Sequence, residues 1–222
     1  MFWIHWISWI LESNLFQNFQ NFQNFQNFQN FQNFQNFQNI QNFQNIQNFQ
    51  NLHSYHGDIT MLLTKVPVTC ATRILKANKV PYVEHLYDYV DKGGTSHLAE
   101  VMGIDEHLTV KTLIFETDAK KPFVILMHGD WSVSTKNLAR HLGVKSVAPC
   151  EPAQAEHNSG YHCGGTSPFG TRRQMPIYVE KSILELPKIY INGGHRGFCV
   201  EMSPADLVRV LHPEPVEVGL KD

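Results

Sequence analysis

Twelve tandem copies of one triplet, Phe-Gln-Asn with Ile replacing Phe at Ile40 and Ile46, fill Phe16 to Asn51 and remove that stretch from any packed core. A period of three matches neither the 3.6-residue helix nor the 2-residue strand, so its apolar residues cannot share one buried face. Gln/Asn-rich repeats with interspersed aromatics are typically disordered and prone to self-association, and residues 16–51 are expected to behave so. A short DNA repeat translated upstream of the gene's own start accounts for such a run, and Met61 is then a natural initiator. Residues 1–15 form an apolar segment with Trp3, Trp6 and Trp9. It lacks the basic flank and cleavage site of a signal peptide and is too short to span a bilayer, which takes roughly 18–20 apolar residues. No stable membrane partner is expected, and the expected location is cytoplasmic.

Folding capacity therefore lies after the repeat. Of 222 residues, about 163 remain from Thr60 onward, which suits one domain with a single core. That segment carries all 18 Lys and Arg and nearly all the acids, so it is close to neutral. A protein that coats nucleic acid through bulk positive charge is excluded, although a local basic patch is not. Cys70, Cys150, Cys163 and Cys199 show no CxxC spacing, which favours a reduced compartment.

Helix and strand signals alternate along this segment. Val68, Ala71, Ile74 and Leu75 make a helical stripe ending at Asn78, and 82–89 reads as a strand. Thr95 or Ser96 can cap a helix that stops at Gly103, and Ser134 caps another that stops at Gly143. The runs 108–117 and 122–128 predict a hairpin through the turn 118–121. Further strands are expected at 145–148, 176–180, 188–192 and 198–202. Ser203, Pro204 and Asp206 open a final helix carrying Leu207, Val210 and Leu211. The expected fold class is α+β: a single domain over 61–213 with a mixed, largely antiparallel sheet flanked by helices, and 214–222 as a C-terminal tail.

Three segments can carry chemistry. Lys111 shares a strand face with Leu113 and Phe115, so an ammonium sits on an apolar surface. Such a charge is paired, snorkels to an edge or lines a cleft. The second segment, Ser159 to Gly170, holds four glycines in twelve residues together with Thr166, Ser167 and Pro168. Its backbone N–H groups can approach a carboxylate, phosphate or polarised carbonyl closely, and a β-branched side chain at Gly165 is expected to block a ligand more than folding. A tight connection between strands explains it equally, and no Lys-Ser/Thr pair closes it as in nucleotide loops. The third segment, Asn192-Gly193-Gly194-His195-Arg196-Gly197, reads as a Gly-rich hairpin turn. His157, His162 and Cys163 lack metal-ligand spacing, and the adjacent His162 and Cys163 point to opposite sides of an extended chain, which argues against a thiol–imidazole pair.

Together these motifs resemble the YbaK/EbsC family, free-standing aminoacyl-tRNA deacylases related to the editing domain of bacterial prolyl-tRNA synthetases. The resemblance covers about residues 61–213. It rests on Val110-Lys111-Thr112-Leu113, on Gly160-Tyr161 followed by Gly164 to Gly170, and on Ile189 to Gly197 with Glu201 and the closing Ser203 to Leu207 helix. The YbaK-like branch, which clears Cys from mischarged tRNA(Pro), looks nearer than the branch acting on Ala-tRNA(Pro).

The resemblance implies that Lys111 is the essential lysine beside the aminoacyl ester and that Tyr87 belongs to the substrate pocket. It also implies that Gly164, Gly165, Thr166, Ser167 and Pro168, with Asn192, Gly193 and Gly194, hold the aminoacyl-adenosine. No metal, organic cofactor or protein nucleophile is implied; for a cysteinyl ester the substrate's own thiol can attack its carbonyl, giving a lyase-type release. The implied partners are aminoacyl-tRNA, through the acceptor end of tRNA(Pro), and prolyl-tRNA synthetase. The chain departs from the family pattern at Cys199, where an acid is often found, and at Asn192, where a small hydroxyl residue can occur. The alternative is a non-catalytic module of the same fold that binds aminoacyl-adenosine or aminoacyl-tRNA and regulates a partner.

Overall fold

A computed structural model of the protein describes residues 66–221. The triplet repeat, the apolar segment before it and Met61 itself lie outside the described residues. Helix α1 (Cys70–Ala77) starts where Thr69 Oγ1 accepts from the Thr72 N–H while Thr72 Oγ1 accepts from the Thr69 N–H, a reciprocal cap. Strand β1 (Val83–Leu86) is shorter than its apolar run suggested. Helix α2 (Gly94–Met102) stops at Gly103 as expected, but Gly93 is its N-cap and makes no side-chain cap. Thr95 instead donates to Glu106 and to the Gly129 carbonyl, so the hydroxyl read as a cap is spent on tertiary contacts.

Strands β2 (Thr109–Thr117) and β3 (Pro122–His128) form the predicted hairpin, with Lys111 opposite Met127. The chain continues through β4 (Trp131–Val133), α3 (Thr135–His141, capped by Ser134), β5 (Val147–Pro149) and α4 (Pro152–Ser159). It then passes β6 (Ile177–Glu180), β7 (Ile189–His195), β8 (Phe198–Met202) and α5 (Pro204–Leu211) to end in β9 (Glu214–Val216) and β10 (Gly219–Lys221). Helix α4 and β4 gave no sequence signal: α4 is polar with a weak apolar stripe, and β4 is three residues long.

The main sheet runs β1-β8-β7-β2-β3-β6-β9, with β5 added on β2. The β2–β7, β3–β6 and β6–β9 pairings are parallel and the rest antiparallel, so the sheet is mixed as expected. Alternation along the strands sends Val110, Ile114, Leu126, Ile191 and Phe198 to one face, where α1 contributes Leu75 and α5 contributes Leu207. The opposite face carries Phe115, Phe123, Ile125 and Met127 under Leu138 of α3, and farther along Tyr190 and Cys199 under Leu98 of α2. The described residues fall within one compact unit.

One boundary is corrected. Residues 214–221 are not a loose tail: β9 pairs with β6, β10 pairs with β4, and Val216 and Val218 are buried in the second core. Pro213 and Pro215 interrupt any apolar alternation, so their pairing leaves little periodic trace in the sequence.

Candidate functional site

The register of the sheet places the candidate residues in a row. His85 of β1 is opposite Cys199 of β8, and Cys199 is opposite Asn192 of β7. The parallel β2–β7 pairing sets Val110 beside Ile191, so one residue on Lys111 lies level with Asn192 and, across β2, opposite Met127. These side chains share the face covered by α2 and α3. Lys111 is half-buried, and its Nζ donates to the main-chain carbonyl of Trp131 at 2.5 Å. Its ammonium is therefore held at the sheet end, and does not snorkel loosely.

Asn192 ties the third segment to the second. Its Nδ2 donates to the carbonyls of Gly164 and His195, both at 3.3 Å, while its Oδ1 accepts from the Gly194 N–H at 2.7 Å. The carbonyl of Gly193 accepts from Thr69 Oγ1 at 2.5 Å, which pins the hairpin turn to the start of α1. Arg196 Nε donates to the Cys163 carbonyl at 2.8 Å, and its guanidinium lies 5.2 Å from the ring centre of Tyr89. Glu156 accepts from the Cys163 N–H at 2.9 Å. This hydrogen bond first, then its contact with His162, holds the Glu156 carboxyl below the ordinary range.

The glycines earn their places by close packing of backbone on backbone. A Cβ on Gly165 would lie 2.8 Å from the Arg196 nitrogen and 3.0 Å from the His195 carbonyl carbon. Gly165 thus has a packing reason beside the expected one of space for a ligand: the loop seats directly on the hairpin turn. Gly164 and Gly194 have positive φ, at 84° and 93°, which glycine adopts without strain. Gly193 leaves room for the Phe198 ring, which a Cβ would meet at 2.4 Å.

The expected pocket residues do not all face the same way. Tyr87 packs against Leu98, Tyr190 and Cys199, beside the row that holds Lys111. Burial, then the neighbouring Cys199 and Tyr89, pushes its phenol up to about 12, so it is neutral and can donate a hydrogen bond. Cys199 is 0% exposed, and burial raises its thiol to about 12, which makes it an inert apolar filler. Thr166 is half-buried, whereas Ser167 is 0% exposed and its Oγ accepts from the Phe169 N–H at 3.5 Å. Pro168 lines a separate open groove of about 540 Å³ with Gly170, Arg172, Met175 and Leu211. Lys111 lies level with Asn192, which holds Gly164, whereas Tyr87 packs on Cys199 of β8 one strand farther on; Ser167 is buried, and Pro168 lines the separate groove.

His107, His128 and Asp130 bring their donor atoms within 4.8 Å of one another beside Trp131. Their imidazoles stack at 3.8 Å with 8° between planes, so the in-plane lone pairs cannot converge on one ion. The two ring nitrogens of His128 already meet the His107 carbonyl and Ser182 Oγ, each at 2.8 Å. Burial lowers the His128 pKa, which favours the neutral form of that ring. His157, His162 and Cys163 are not among the groups that converge in this way. Sequence reasoning missed Thr69, Glu156, Arg196 and the Trp131 carbonyl. Thr69 was visible as a cap and Arg196 as a member of the Gly-rich turn, whereas Glu156 lies on a helix that the sequence does not signal and a main-chain acceptor leaves no sequence signal.

The aminoacyl-tRNA editing domain, as a family, matches residues 92–210. A candidate Cys-tRNA(Pro)/Cys-tRNA(Cys) deacylase, EbsC of Enterococcus faecalis, is 28% identical over 155 residues, covering 69% of this chain and 94% of that protein. The proline–tRNA ligase of Lactococcus lactis subsp. cremoris is 34% identical over 120 residues, 52% of this chain but only 19% of the ligase. Among solved structures, a hypothetical protein superposes with TM-score 0.64 at 21% identity, over 68% of this chain and 100% of that one. A candidate trans-editing enzyme for prolyl-tRNA synthetase does so with TM-score 0.60 at 18% identity, over 69% and 99%. With more than half of its length matched by the family, and Lys111, Gly164 and Asn192 inside that match, the chain belongs to the aminoacyl-tRNA editing domain family.

Proposed function

We propose that this protein is a free-standing aminoacyl-tRNA deacylase that hydrolyses mischarged Cys-tRNA(Pro) in the cytoplasm, where charged tRNA is used. The observation that carries the reading is Lys111: a half-buried ammonium held by the Trp131 carbonyl, level with Asn192 and the Gly164 loop, within the family match. An ammonium carries three donors, and the bond to the Trp131 carbonyl fixes the direction of one of them on the face shared with Asn192. In deacylation a nucleophile adds to the ester carbonyl carbon, the C–O bond to the terminal ribose breaks, and the ribose oxygen takes up a proton. Water serves as nucleophile, or, for a cysteinyl ester, the substrate's own thiol. Lys111 offsets the negative charge that develops on the carbonyl oxygen, and Tyr87 bounds the aminoacyl side chain. The N–H groups of Cys163, Gly165, Phe169 and Gly194 are already engaged. Backbone donors to the substrate are therefore to be sought at Gly164, Thr166 and Ser167.

The near-full coverage of the Enterococcus protein supports action as a separate enzyme, and the synthetase matches support tRNA(Pro) and prolyl-tRNA synthetase as partners. No helix among the described residues is long and apolar enough to cross a membrane. The test is single-turnover deacylation of Cys-tRNA(Pro). Removing one preorganised donor typically costs on the order of 100- to 1000-fold, so Lys111→Ala should lose that much while remaining folded. Lys111→Arg should also be poor, because a planar fork does not replace a compact ammonium. A Lys111→Ala rate within a few-fold of wild type would reject the assignment and leave the chain as a binding module.

A further inference from the structure

We infer that the C-terminal strap, residues 216–221, is a positioning element of the site that aims Lys111 through Trp131, with Glu180 as its anchor. This rests on the reading of Lys111 given above. The strap lies beyond the residues matched by the family, which end at 210.

Glu180 ends β6 and is 4% exposed. By the β3–β6 register its Cα falls level with Met127, the partner of Lys111, so acid and lysine stand in one row with a single strand between them. Its Oε2 accepts from the N–H groups of Val218 and Gly219, both at 2.8 Å. A carboxylate is a costly way to fill a core position, because its desolvation must be offset, and an apolar side chain would pack there more cheaply. What the acid supplies is a directed grip on the strap's backbone.

Beyond that grip, the Val218 carbonyl accepts from the Ser134 N–H at 2.8 Å, and β10 pairs with β4 so that Lys221 lies opposite Trp131. The indole is enclosed on both sides. His107 and His128 pack against it with ring centres 5.2 and 4.8 Å away, Gly219 covers it elsewhere, and Lys221 Nζ sits 5.3 Å from its centre. A Cβ on Gly219 would lie 2.4 Å from Trp131 Cε3. The carbonyl of this clamped residue is the one that receives Lys111 Nζ. Strap, indole and ammonium thus form a continuous chain of contacts, and moving the strap moves the cation.

The experiment uses the full chain with Gly219→Ala, Glu180→Gln and Lys111→Ala, measuring the single-turnover rate on Cys-tRNA(Pro), the half-saturating tRNA concentration and the melting temperature. Gly219→Ala pushes on the indole and should lower the rate about tenfold or more, with half-saturation unchanged within twofold. Should Gly219→Ala fail to fold, Glu180→Gln, which weakens the anchor without changing shape, decides by the same split of rate against half-saturation. Rates within twofold of wild type for the folded strap variants, with Lys111→Ala inactive, overturn the inference and leave the reading of the site intact. An active Lys111→Ala overturns that reading and the inference together.

Discussion

Replacing Gly165 by Ala tests whether the Gly-rich loop is built to seat on the hairpin turn. The new Cβ would stand 2.8 Å from the Arg196 nitrogen and 3.0 Å from the His195 carbonyl carbon, both main-chain atoms. Ordinary carbon contacts lie at about 3.5–4.0 Å, so loop and turn must separate by roughly half an ångström or more. Neither wall yields easily. The turn is pinned by Thr69 on Gly193 and by Asn192 on Gly194, and the loop by Asn192 on Gly164 and Arg196 on Cys163. Overpacking of this kind costs about 1–3 kcal/mol. For a domain of this size each kcal/mol shifts the melting temperature by about 2–4 °C, so a fall of about 2–12 °C is expected. Gly165→Val, with two further methyls at the same place, should fall farther. Thermal denaturation beside single-turnover deacylation measures both effects, and stability and rate should drop together. A Gly165→Ala protein with unchanged melting temperature would refute the packing argument. Unchanged stability with lost substrate binding would restore the ligand-space explanation.

Asn192→Ala removes the clamp on the Gly164 and His195 carbonyls, so amide exchange across 162–168 should quicken and the half-saturating tRNA concentration should rise several-fold; unchanged protection would show that the loop holds itself. His128 has a folded-state pKa below its usual 6.5, so protonation favours the unfolded chain: its neutral form leaves stability intact above pH 6.5, and stability is lost as pH falls from there through the folded-state pKa. His128→Gln should flatten the dependence of melting temperature on pH below 6.5, and an equally steep profile would place the acid sensitivity elsewhere. A chain beginning at Met61 should keep its melting temperature and deacylation rate, because residues 66–221 complete a sheet and its cores among themselves; a drop of several degrees would reject that independence.

The hairpin of β2 and β3, the Ser134 and Ser203 caps and the Gly103 stop were legible because each is decided by neighbours along the chain. The position of Lys111 on an apolar strand was legible for the same reason. Which strand would lie beside it was not: β7 is distant in sequence and pairs in parallel, and alternation says nothing of partner or direction. The glycines announced a close approach but not its object. At Gly165 the object is the chain itself. The strands at 214–221 escaped notice because Glu180 and the edges of β6 and β4, all distant in sequence, supply their reason for being extended.

The parallel pairing of β2 with β7 also decides when the site comes into being during synthesis. The β2–β3 hairpin closes locally and can form early, whereas β7 must be made and then find β2 across a long intervening chain, a slow closure for reasons of loop entropy. Strand β10, made after β7, comes to rest on β4. A nascent or prematurely terminated chain therefore presents Lys111 on a finished hairpin with neither Asn192 beside it nor Gly219 over Trp131.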